Sequence, residues 1–115
     1  MNREIKFRWF DKRTKTMIDD TVTLIYNDGS IGLDYPARDA EWVQVAGQYT
    51  GLKDKNGVEI YEGDIVKRWG NIYIVIWDKI GFRMKWTKED SVNRFPDELC
   101  EVIGNIYENP ELLNR

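Results

Sequence analysis

Apolar and polar residues alternate with a period of two along most of this chain, the pattern of strands that cover one face. In residues 5–10, IKFRWF, the side chains of Ile5, Phe7 and Trp9 fall on one side and those of Lys6 and Arg8 on the other. The polar run 12–15 predicts an exposed turn. Residues 21–26, TVTLIY, are β-branched and lead into Asn27-Asp28-Gly29-Ser30, a hairpin signal because Asp-Gly readily takes positive φ, with residues 30–33 as the return strand. Pro36 biases Tyr35 toward extended geometry and marks residues 35–40 as a loop. A strand resumes at 42–45.

The stretch GQYTGLKDKNGVEIYEGDIVKRW, residues 47–69, is the most sharply punctuated. Asn56-Gly57 at a turn tip folds residues 49–53 back on 58–61, and Tyr61-Glu62-Gly63-Asp64 turns the chain into a strand at 65–68. Residues 71–77, NIYIVIW, carry apolar side chains on both faces and predict a central strand. After a reverse turn at 78–81, Phe82, Met84 and Trp86 alternate with Arg83 and Lys85. Residues 87–98 form a long polar connection with room for a helical turn. The last strand falls in residues 100–107, with Gly104 at a bulge, and Asn109-Pro110 predicts a short terminal helical turn. The elements thus predict one mainly β, antiparallel domain over residues 1–115 with little helix. Residues 1–48 form a sheet or sandwich-like N-terminal part, and residues 49–115 an SH3-like barrel.

Composition sharpens this picture in two ways. Aromatic residues are 13% of the 115, so large rings supply much of the buried area, with some left exposed. The chain has no histidine and one cysteine, Cys100. Their scarcity removes imidazole bases, Ser-His-Asp and Cys-His systems, and zinc or iron–sulfur sites, and no Gly-rich phosphate loop is present. No metal and no cofactor are therefore expected. The lone cysteine and the charged N-terminus point to a cytoplasmic location, and no apolar run predicts a membrane helix.

Net charge is −3, but its distribution is polarised. Residues 1–17 carry six cations against two acids, and residues 89–115 seven acids against two cations, so the chain's ends are expected to pair with each other or with an oppositely charged partner.

Three blocks, residues 48–67 (QYTGLKDKNGVEIYEGDIVK), the early IKFRWFDKRTKTM and the late EVIGNIYENPELL, together resemble the YopX-like family of small bacteriophage and prophage proteins. The resemblance implies a phage or prophage origin and a β-rich fold whose later half is SH3-like. It implies no activity and brings no catalytic residues.

Three functional readings follow from the residues. The first is a non-enzymatic interaction module that binds a protein partner or itself through strand edges and exposed rings. The second is nucleic-acid binding through cations beside rings, at Arg8 and Trp9, at Lys67, Arg68 and Trp69, and at Arg83, Lys85 and Trp86. The third is a carboxylate enzyme built on Glu59, Glu62 and Asp64, against which stands plain turn chemistry, with Asp64 bonding local amides and Glu59 facing solvent. Cys100, flanked by Glu98 and Glu101, reads as a buried apolar residue and not as a reactive thiol.

Overall fold

A computed structural model describes residues 6–19, 23–33, 41–78, 81–87, 92–94 and 99–114. Eleven strands appear among them: β1 (Phe7–Asp11), β2 (Thr16–Ile18), β3 (Thr23–Ile25), β4 (Ile31–Leu33), β5 (Val43–Lys53), β6 (Glu59–Tyr61), β7 (Asp64–Arg68), β8 (Asn71–Asp78), β9 (Gly81–Trp86), β10 (Val92–Arg94) and β11 (Glu101–Asn105). A short 3₁₀ helix, Pro110–Asn114, follows them. The Asn109 side chain does not cap this helix; its Oδ1 accepts the Asn105 N–H at 3.2 Å.

All pairings are antiparallel, and they build a four-stranded sheet in the order β2-β1-β5-β6, a five-stranded sheet in the order β10-β9-β8-β7-β11, and the β3-β4 hairpin. The mainly β, antiparallel expectation holds. The five-stranded sheet curls into a half-barrel in which β11 returns beside β7, the first strand of the β7–β10 meander, leaving β10 and β11 at its edges. β10 falls where a polar connection was expected. The foreseen boundary at residues 48 and 49 lies inside β5, which runs unbroken through it. No described helix is long and apolar enough to cross a membrane, which leaves membrane-spanning strands untouched.

One face of the five-stranded sheet carries the main core, where Val66, Tyr73, Val75 and Met84 pack with Ile60 and Cys100 beneath Trp86 and Val102. Cys100 is fully buried, as expected of an inert thiol. On the four-stranded sheet Trp9, Phe10, Ala46 and Tyr49 are buried, and the Trp9 indole N–H donates to Thr23 Oγ1 at 2.8 Å, tying β1 to β3. Not all rings turn inward: Trp42, Trp69 and Trp77 are each about half exposed.

The two larger sheets are fastened by the residues of the punctuated stretch. Asp54, buried at the β5–β6 tip, accepts the N–H groups of Asn56 and Val58 on one oxygen and that of Val102 in β11 on the other, at 2.8–2.9 Å. Beside it the Lys55 N–H donates to the Cys100 carbonyl, so the tip covers the outer edge of β11. Burial pushes the Asp54 carboxyl up, but the three amides outweigh it and hold it below the ordinary value. A group lowered on folding stabilises the protein above its unfolded value, near 3.9, and loses that contribution as pH falls through the folded one. Asp54→Asn is therefore expected to cost about 1–3 kcal/mol at neutral pH. Urea titrations should show this deficit shrinking below about pH 4.

The Tyr61–Asp64 turn is the second fastening. Gly63, at φ 90°, takes a conformation open mainly to glycine. Its N–H donates to the Val75 carbonyl while its own carbonyl accepts the Ile106 N–H. The Glu62 N–H reaches back to the Gln48 carbonyl in β5. Strand β7 thus begins where both sheets meet.

Candidate functional site

Period two places Lys6 and Arg8 opposite Phe7, but the face they occupy is not solvent. The Arg8 guanidinium pairs with Asp64, whose side chain is 1% exposed, and the Lys6 ammonium pairs with Glu59. The same two cations lie over rings, Arg8 on Tyr61 at 4.6 Å and Lys6 on Tyr49 at 5.1 Å. Glu59 also accepts the Tyr61 hydroxyl at 3.3 Å, and Asp64 accepts the Tyr61 amide at 2.7 Å. Glu59 is therefore only partly in solvent, its carboxylate engaged by Lys6 and Tyr61, while Asp64 does bond a local amide. Among the described residues, the basic N-terminal segment pairs with these mid-chain acids and not with the acidic C-terminal segment.

This cluster is electrostatically closed. Burial pushes Asp64 above the ordinary carboxylate value, with Arg8 pulling the other way, and burial together with Glu59 pushes Tyr61 up to about 12. A phenol raised that far is no nucleophile near neutrality, and both acids already hold a cation. Glu62 points elsewhere, and no group of three or more acids or thiols able to hold a metal exists among the described residues. What the arrangement does is clamp β1 onto the β6–β7 turn.

The cation and ring positions singled out from sequence do not form one surface. Arg8 is engaged with Asp64 and Trp9 is 7% exposed. In the five-stranded sheet Lys67 pairs with Ile72, Lys85 with Ile74 and Arg83 with Ile76, so these three cations share one face. Arg68 and Trp86 lie on the opposite face with Val66 and Tyr73. Trp69 belongs to neither face.

Trp69 stands at the tip of the β7–β8 hairpin, followed by Gly70, and both residues have positive φ, 53° and 75°. That pair of angles is the two-residue type I′ turn, whose twist suits a tight hairpin. Asparagine or aspartate takes the first of these positions easily; a bulky side chain there is strained by roughly 1–3 kcal/mol. The ring is nonetheless 49% exposed. The Arg68 guanidinium lies 3.9 Å from its centre and Tyr73 meets it edge-on at 6.3 Å, so it is held in one attitude. Lys67 is exposed on the face opposite Arg68 and Tyr73. Sequence named Trp69 as one of eight candidates, but only its backbone angle separates it from the others.

Comparison with known proteins places the chain. Among curated proteins none matches. Three chains of solved structure match, including protein EF1440 from Enterococcus faecalis, which is 30% identical, superposes with a TM-score of 0.61, and aligns over 97% of this chain and 99% of its own. The sequence model of the family described as YopX protein matches residues 6–114, which cover both fastenings and the three blocks apart from Ile5. The chain belongs to the YopX protein family.

Proposed function

We propose that this protein is a non-enzymatic interaction module, a cytoplasmic accessory protein of a phage or prophage, that meets a protein partner through the tip of its β7–β8 hairpin. The observation that carries this reading is Trp69: a large ring, half in water, on a backbone angle that the fold would satisfy better with asparagine. A residue that costs stability and exposes apolar surface is kept for what it touches. Tryptophan and arginine are also the residue types that dominate binding energy at protein interfaces, and here Arg68 holds the ring ready. Two of the three candidate acids, Asp64 and Glu59, are already paired with Arg8 and Lys6, which supports the non-enzymatic side.

Trp69→Asn separates contact from stability. The variant is expected to melt at the same temperature as the parent or slightly higher, and to lose at least tenfold in affinity, about 1.4 kcal/mol, for a partner captured by the parent from host cells and then purified. Affinity unchanged by this substitution contradicts the reading. A second reading, single-stranded nucleic acid stacking on Trp69 beside Lys67 and Arg68, predicts oligonucleotide binding that weakens steeply with salt and disappears in the same variant.

A further inference from the structure

On the outer side of the Tyr61–Asp64 turn lies a concavity of about 280 Å³ lined by Phe7, Ile31, Val45, Gln48, Glu62 and Tyr107, with Ala46 and Gly47 as its floor. Its polar side chains are unlike those of the neighbouring clamp. Among the described residues the Glu62 carboxylate makes no ion pair or hydrogen bond, and neither the Tyr107 hydroxyl nor the Gln48 amide has a partner. Every other acid from Asp54 to Asp64 is satisfied. The Glu62 backbone is fixed, its N–H bonded to the Gln48 carbonyl and its carbonyl held against Gly47, so the carboxylate is presented from a rigid turn. Glu62 is close enough to Tyr107 that its charge, after burial, helps raise that phenol.

We infer that this concavity is a binding site for an organic cation, a primary ammonium or guanidinium on an apolar stem. The chemistry of the lining sets the class. Glu62 supplies the counter-charge, and the Gln48 carbonyl and Tyr107 oxygen accept the remaining N–H donors. The apolar flank of Ile31 and Val45 suits a methylene stem. The concavity, about 280 Å³, has room for a lysine or arginine side chain. An anion is disfavoured by Glu62, and a bare metal ion by the single carboxylate. The site is separate from Trp69, so it stands whether or not the hairpin tip binds a protein.

Titration of the full chain, followed by amide NMR, tests the inference with defined probes: acetyl-lysine methylamide, acetyl-arginine methylamide, free n-butylamine, and acetyl-norleucine methylamide as the uncharged control. The expected result is saturable millimolar binding of the cationic probes, with shifts centred on Gly47, Gln48 and Tyr107. The norleucine control should produce none. Glu62→Gln should weaken binding at least tenfold, and Tyr107→Phe by a smaller factor, at unchanged melting temperature, because neither variant alters a group that the fold uses. Residue-like probes binding at least tenfold more tightly than butylamine identify the source as a basic side chain of a partner; equal affinity identifies a free amine. Shifts that persist in Glu62→Gln, or that the norleucine control reproduces, overturn the site, as does the absence of saturable shifts in the parent.

Discussion

Asp64→Ala is expected to lower the free energy of unfolding by about 3–5 kcal/mol, the usual effect of removing one partner of a buried ion pair. The substitution leaves the Arg8 guanidinium, whose side chain is only 15% exposed, without its counter-charge in a site it cannot leave without pulling β1 off the turn. It also orphans the Tyr61 amide and opens a void at the junction of the sheets. In a domain of 115 residues such a loss approaches the whole margin of stability. Urea unfolding monitored by tryptophan fluorescence should therefore show a much earlier midpoint, or a protein already partly unfolded in buffer. A loss below about 1 kcal/mol would mean that the pair behaves as a surface ion pair.

Gly47→Ala is expected to destabilise by about 2–4 kcal/mol through a different mechanism. A methyl group built on Gly47 stands 2.2 Å from the Glu62 carbonyl oxygen; the methyl position is fixed by the backbone that carries it, and the oxygen is itself a backbone atom, so neither can rotate away. Relief requires parting β5 from the Tyr61–Asp64 turn, which breaks the hydrogen bond from Glu62 to Gln48. Hydrogen exchange should place the extra opening at Gln48, Tyr49 and Glu62. Wild-type-like protection at those amides contradicts the close approach.

Strands and tips were readable where the rule is local. The Asp28-Gly29 and Asn56-Gly57 turns, the alternation of β9 and the bulge at Gly104 each follow from a few neighbouring residues, and each is found where expected. What could not be read depends on distant partners. Alternation puts Arg8 opposite Phe7, but only the fold brings Asp64, 56 residues later, to cover it. Asp54 reads as a turn residue, and its third amide, from Val102, lies 48 residues away. β10 escaped because three residues, Val92-Asn93-Arg94, form a strand only by pairing with β9. At the hairpin tip Gly70 marks a turn, yet nothing local says that Trp69 shares the positive φ. Likewise Glu62 and Tyr107 are 45 positions apart in sequence and meet only because β11 returns beside β7.

The stretch with the strongest motif-like appearance is therefore a clasp: its acids hold cations and amides of the protein itself. The measurement closest to that claim is a double-mutant cycle in urea with Arg8→Met and Asp64→Asn, the latter keeping an acceptor for the Tyr61 amide. A favourable coupling of about 2 kcal/mol or more is predicted. Effects that add to within about 0.5 kcal/mol would show that the two charges do not hold the sheets together, and would contradict the account.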